Sequence, residues 1–182
     1  PMNKVIALVG MTGCGKTEVA DFLKEKGFPV VRFGDATDEE IKKRGLVLNE
    51  ENEKIVREGL RKDEGMAIYA KLNAPRIDKA LEKNSAVADG LYSFEEYLFL
   101  NDYYGDKLVL IAVYASPKTR YKRLASRKIK PLNEDEACSR DFSEIENLNK
   151  GGPIVMADYT IVNEGSVEEL RANVEKIMKG LK

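Results

Sequence analysis

Five short stretches of the chain are apolar at nearly every position, and the segments between them carry apolar residues at helical spacing. The five are Lys4 to Val9, Pro29 to Phe33, Ser85 to Ala88, Leu108 to Tyr114 (LVLIAVY) and Tyr159 to Val162. Apolar runs of this length without polar alternation predict strands buried on both faces, as in a parallel sheet sandwiched between helices. Helices are expected from Lys16 to about Gly27, with Val19, Ala20, Phe22 and Leu23 facing inward, and over Phe94 to Tyr104, Pro117 to Arg127 and Val167 to Leu181. Two segments break the alternation. Asp38 to Lys83 reads as helical and highly charged, is punctuated by Gly45, Gly59, Gly65 and Pro75, and has few apolar positions. It is expected to be a partly exposed insert rather than core. The stretch 128–152 reads as polar and irregular, in the manner of a mobile lid. No repeat or low-complexity segment is present.

Composition narrows the picture. A chain of 182 residues, 43% hydrophobic, suits one α/β domain over 2–182, with a helical insert at 36–84 and a lid at 127–152. A net charge of −1 gives no global field toward nucleic acid or a membrane surface, so neither is expected as a partner. No apolar run matches a membrane span or a signal h-region, and Cys14 and Cys138 have no metal-ligand spacing, so a cytoplasmic location is expected. Histidine is absent. A His general base, a Ser-His-Asp triad and a His-bound metal are thereby excluded, leaving carboxylates, Lys, Arg and a hard metal ion.

The string Gly10-Met11-Thr12-Gly13-Cys14-Gly15-Lys16-Thr17, directly after the first strand, fits G-x-x-x-x-G-K-[ST] at every fixed position. Such a loop turns successive N–H groups toward phosphate oxygens; Lys16 reaches the β- and γ-phosphates and the Thr17 hydroxyl joins a Mg²⁺ shell. Residues 10 to 18, Glu18 included, are the candidate nucleotide contacts. In parallel sheets ligands gather at the carboxyl ends of the strands, and Gly10, Asp35, Asp89 and Ser116 all fall there. Asp35 is a candidate to accept or orient the acceptor's proton, the alternative being a helix N-cap. Asp89 is a candidate acceptor contact and Mg²⁺ ligand, the alternative being a turn residue beside Gly90. Arg120, Arg123 and Arg127 share a helical face that leads toward Arg140, a set suited to clamping phosphates. Arg57, Arg61 and Arg76 can grip an acceptor, or pair at the surface with Glu53, Glu58 and Glu64.

Together these strings resemble the P-loop small-molecule kinases, above all the dephospho-coenzyme A kinases and a related archaeal family of uncharacterised kinase-like proteins. The likeness rests on GMTGCGKTEVADFL, Gly34-Asp35, Asp89-Gly90, SPKTRYKRLASR at 116–127, Arg140-Asp141 and ADYTIVNEGSVEELRANV at 157–174. It implies a P-loop NTPase three-layer sandwich with a five-stranded parallel sheet. It also implies a phosphate-loop role for Lys16, a base role for Asp35, lid roles for Arg127 and Arg140, and places Asn163 and Gly165 against the adenine ring. Dephospho-coenzyme A kinases carry two acids where this chain has Arg32-Phe33-Gly34-Asp35, so one of the pair is missing. The expected function is an ATP- and Mg²⁺-dependent phosphotransferase acting on a nucleotide or coenzyme A-like small molecule. The alternative is a regulatory P-loop ATPase acting through a protein partner. Guanine specificity is disfavoured, because Asn149-Lys150-Gly151-Gly152 lacks the acid that closes an Asn-Lys-x-Asp string.

Overall fold

All five apolar runs are strands in the computed structural model, which describes residues 2–181. They are β1 (Val5–Val9), β2 (Val30–Arg32), β3 (Ala86–Asp89), β4 (Leu108–Tyr114) and β5 (Tyr159–Val162). Every pairing is parallel, in the order β2-β3-β1-β4-β5. The chain runs from β1 to one side for β2 and β3, then to the other for β4 and β5, so the sheet's switch point is the carboxyl end of β1. Alternation along β1 divides the core. Val5, Ala7 and Val9 enter one apolar cluster, and Ile6 and Leu8 the other.

The Ile6–Leu8 side is covered by α1 (Lys16–Glu25) and α9 (Val167–Gly180) through Val19, Leu23, Leu170 and Val174. On the opposite side lie α4 (Ile68–Leu81) and α5 (Phe94–Tyr104), through Ile68, Tyr69, Ala70, Ile77, Leu100 and Tyr104. This is the P-loop NTPase α/β sandwich. Polar side chains start several helices: Ser93 and Ser116 cap α5 and α6 (Pro117–Ala125), and Ser166 with Glu169 forms a capping box on α9.

The 38–83 segment departs from expectation. It forms α2 (Asp35–Lys43), α3 (Glu50–Glu64) and α4, and α4 belongs to the core. Its inward stripe of Tyr69, Ala70, Asn73, Ala74 and Ile77 keeps helical spacing but is small and partly polar, so the surrounding charges mask it. Buried Asn73 fits because its amide donates to the carbonyls of Tyr69 (2.8 Å) and Phe33 (3.4 Å). Gly59 and Pro75 do not interrupt their helices, whereas Gly45 and Gly65, both at positive φ, follow helix ends.

The 128–152 stretch is also corrected. It holds α7 (Glu134–Leu148), opened by a capping box between Asn133 and Glu136, and α8 (Gly151–Val155). The buried positions of α7 are Ala137, Asp141 and Glu144, so its inner stripe is mostly acidic and escapes a search for apolar periodicity. Arg120 supplies the counter-charge. Its guanidinium, 4% exposed, meets both Asp141 oxygens at 2.9 and 2.6 Å and donates to the carbonyls of Ala115 and Thr12, each at 3.1 Å. Arg120 is thus the bolt between α6, α7 and the loop after β1, and not a phosphate clamp. Asp141→Ala leaves that guanidinium buried without its carboxylate, and we expect a loss of about 3–5 kcal/mol in urea denaturation. A loss under about 1 kcal/mol would show that water replaces the carboxylate freely.

Candidate active site

The loop between β1 and α1 has glycine where the backbone passes closest to its neighbours. A Cβ on Gly10 would lie 2.4 Å from the Val113 carbonyl oxygen, and one on Gly15 would lie 2.4 Å from Asn163 Nδ2. Gly15, at φ 106°, is the N-cap of α1 and supplies no side-chain cap. The first N–H groups of α1 are therefore left for an external anion, reinforced by the helix dipole. Lys16 folds over the loop, its ammonium donating to the Gly10 carbonyl at 2.5 Å. The donor set and the steric cradle fit a polyphosphate.

Thr17, Asp89 and Lys16 line one crevice of about 470 Å³ with Arg32, Gly34 and Tyr92. Asp89 is the last residue of β3, not a turn residue beyond it. Burial raises its carboxyl above the ordinary range, and nearby Asp21 and Asp35 push the same way, while Lys16 and Arg32 oppose them. A half-buried acid in that setting fits a cation, and Thr17 and Asp89 are the residues that would hold Mg²⁺. Among the described residues no cluster of three or more acids or thiols could bind a metal unaided, so phosphate oxygens would complete such a site. Asp35 is the first residue of α2 and exposed; the N-cap is Gly34. Its neighbour Gly34 lines the crevice, but Asp35 itself does not, although it lies near enough to act on the Asp89 carboxyl.

Arg123, Arg127 and Arg140 also reach the crevice. Arg123 donates through Nη2 to the Asn163 carbonyl at 2.8 Å, while its buried Nη1 has no partner. An unsatisfied guanidinium N–H in a phosphate crevice is a vacant donor for an oxyanion. Three residues assigned to the nucleotide have other engagements. Glu18 pairs with Arg171 of α9 at 2.6 Å, leaving its backbone N–H for phosphate. Asn163 is buried, its amide donating to the Cys14 carbonyl at 2.8 Å. Gly165 makes room for the Glu169 carboxylate of the α9 capping box, which a Cβ there would strike.

A larger cavity, about 990 Å³, opens between α3 and α7 and shares Tyr92 and Arg140 with the phosphate crevice. Arg57 and Arg61 line it. Arg57 stands 3.5 Å from Glu53. Arg61 stacks on Tyr69 at 5.0 Å and lies 3.9 Å from buried Glu96. Arg76 is elsewhere, paired with Glu39 and Asn73. Five basic side chains (Lys54, Arg57, Arg61, Lys62, Arg140) face four acidic ones (Glu58, Asp135, Glu136, Glu144), with only Met66, Tyr92 and Leu148 as large apolar surface. Such walls, in which the stems of the charged side chains add apolar surface, suit a ligand with both apolar and charged parts. Reading the sequence missed Tyr92, Glu96, Glu144 and Lys150. Of these only Lys150 lay in a string that drew notice, and there for another reason.

Glu96 is fully buried, and desolvation raises its carboxyl to about 7 despite Arg61 and the N–H of Tyr92. A raised folded value means that this group's stabilising contribution is complete below about 4.5 and is lost as pH climbs through about 7. Glu96→Gln should match the wild type near pH 4 and become more stable than it by up to ~3 kcal/mol at pH 7.5, followed by urea denaturation across pH. A pH-independent difference would mean Glu96 ionises as freely folded as unfolded.

Comparison with known proteins supports the fold. The family model described as "AAA domain" matches residues 6–146. A UPF0200 protein of Thermococcus gammatolerans is 35% identical over 185 residues, covering 97% of each chain. Among solved structures, TT1252 from Thermus thermophilus superposes with a TM-score of 0.68 at 20% identity over the whole of both chains. A shikimate kinase from Bacteroides thetaiotaomicron does so with a TM-score of 0.60 at 15% identity over 98% of each. These likenesses show a shared P-loop kinase-like fold. Among the described residues no helix is long and apolar enough to cross a membrane. The matched AAA domain and the near full-length identity with UPF0200 proteins together show that this chain belongs to the UPF0200 family of P-loop proteins.

Proposed function

We propose that the protein is an ATP-dependent phosphotransferase whose acceptor is a nucleotide or coenzyme A-like small molecule. One observation carries the reading: beside the phosphate crevice, and sharing Tyr92 and Arg140 with it, lies a second and larger cavity lined by many charged side chains. A machine that only hydrolyses nucleotide has no need of the second chamber. The kinase-like fold and the dephospho-coenzyme A kinase resemblance support the same choice. In this scheme the loop N–H groups and Lys16 bind the triphosphate, and Thr17 and Asp89 would hold Mg²⁺, which would supply charge neutralisation for the phosphates. The acceptor oxygen attacks the γ-phosphorus, and the bond from that phosphorus to the β–γ bridging oxygen breaks, its electron pair leaving with ADP. A hydroxyl acceptor gives its proton to Asp35. Arg123, Arg127 and Arg140 balance the charge that spreads over the transferring group.

An acceptor panel with radiolabelled ATP, spanning nucleosides, nucleoside monophosphates and dephospho-coenzyme A, tests the proposal. Lys16→Ala should abolish transfer with an unchanged melting profile. Asp35→Asn should keep ATP affinity within a few-fold while transfer falls by roughly 10²–10⁴. If no acceptor is labelled by the wild type and slow hydrolysis is unchanged in Asp35→Asn, the reading fails in favour of a regulatory ATPase.

A further inference from the structure

The scheme above leaves one cluster beside the phosphate loop unused. Glu144, on α7, accepts hydrogen bonds from Thr12 Oγ1 at 3.2 and 3.3 Å, from Arg140 Nε at 3.1 Å and from Lys150 Nζ at 2.5 Å. Lys150 is 1% exposed, and its ammonium lies 4.7 Å from the centre of the Tyr92 ring. Lys16 is close enough to repel it. Burial, Lys16 and Arg140 press the Lys150 ammonium down to about 8, against the pull of Glu144.

A phosphate-loop hydroxyl, a guanidinium and an ammonium that converge on one anion form a donor set for a phosphoryl group. In this structure the anion is the protein's own carboxylate. The place is also apt: Thr12 and Arg140 line the phosphate crevice, and Glu144 and Arg140 line the larger cavity. We propose that Glu144 stands in for the transferring phosphoryl group, and that Lys150 is a catalytic cation that passes from Glu144 to the phosphoryl oxygens when substrates bind. The inference rests on the phosphotransferase reading and adds a residue and a step of charge exchange to it.

The backbone permits the exchange. Asn149, at φ 51°, reverses the chain after α7, and the Lys150 N–H donates to the Glu144 carbonyl at 3.3 Å. The two backbones stay tied while the Glu144 side chain rotates toward the larger cavity. Without Glu144, the ammonium of Lys150 would be buried beside Lys16 and Arg140 with no counter-charge. With a phosphoryl group in place, the same three cations share a larger negative charge, and the repulsion is relieved.

A plain structural ion pair is the competing account, and the two part on sign. Calorimetry would compare the wild type, Lys150→Met and Glu144→Gln for Mg·ADP and for Mg·ADP with aluminium fluoride, a mimic of the transferring group. We expect both variants to hold Mg·ADP within a few-fold. Lys150→Met should lose roughly 10²-fold in affinity for the fluoroaluminate complex, the scale of one transition-state donor. Glu144→Gln, freed of the competing charge, should bind that complex more tightly than the wild type does. If Lys150→Met does not fold, the direction of the Glu144→Gln shift decides alone. Variants that shift the same way, or a Glu144→Gln that binds the mimic no more tightly, overturn the inference while leaving the kinase reading intact. Failure of the wild type to bind Mg·ADP would remove both.

Discussion

A loop that offers its N–H groups to a ligand must have its carbonyls held from the other side, and the site depends on that one-sidedness. Three glycines in eight residues leave the loop little apolar side chain to fix it, with Cys14 alone joining the core. Its rigidity comes from outside instead. The Asn163 amide takes the Cys14 carbonyl, Arg120 takes the Thr12 carbonyl, and Lys16 takes that of Gly10. Gly10 and Gly15 are tight against Val113 and Asn163. Apart from Lys16, which belongs to the loop itself, each brace comes from an element that the sheet places, β4, the end of β5 or α6. The donors facing the crevice are thereby preorganised, so little reorganisation is left for the moment of binding.

What could be read from the sequence, and what could not, divides along the same physical line. The central strands β1, β3 and β4 were legible because burial on both faces demands unbroken apolar runs, as in LVLIAVY; the edge strands β2 and β5 share the apolar composition but are only partly buried, contrary to expectation. The phosphate loop was legible because its steric and hydrogen-bonding needs restrict it to a few residue types at fixed spacing. The burial of α4, read as helical but partly exposed, and the existence of α7 were not, because each meets the protein through a stripe whose polarity is cancelled only in three dimensions. Asn73 is neutralised by carbonyls from α4 and from the end of β2, and Asp141 by Arg120 from a different helix. A window of sequence shows the polar residue and not its distant partner. The site divides similarly: Lys16, Thr17 and Asp89 stand where their motifs put them, while Tyr92, Glu96 and Lys150 acquire meaning only through what surrounds them.

Buried charge also sets the electrostatics of the two chambers. Arg61 beside Glu96 and Lys150 beside Glu144 are pairs in which one or both members sit out of water. Truncating one partner of such a pair is far costlier than replacing both, whereas a neutral isostere at Glu96 keeps the hydrogen-bonding shape and sheds the cost of burying the charge. The orphaned Arg61 Nε and Glu96 Oε1 show that this pair is incompletely satisfied within the protein. Around the larger cavity, then, polar capacity is left over. That is the condition under which a ligand's groups, rather than a better core, complete the hydrogen bonding.

The attachment of α7 has a thermal consequence. The helix is joined to the phosphate loop and α6 chiefly through Asp141 and Glu144, with Ala137 as its one buried apolar side chain. The free energy needed to strip water from ions falls as temperature rises, while the gain per unit of buried hydrocarbon levels off. On warming, the ionic seam between α6 and α7 therefore becomes cheaper to keep dry, while the apolar packing of α4 and α5 gains little more. The helix that reads as the loosest part of the chain is held by the kind of contact that heat penalises least.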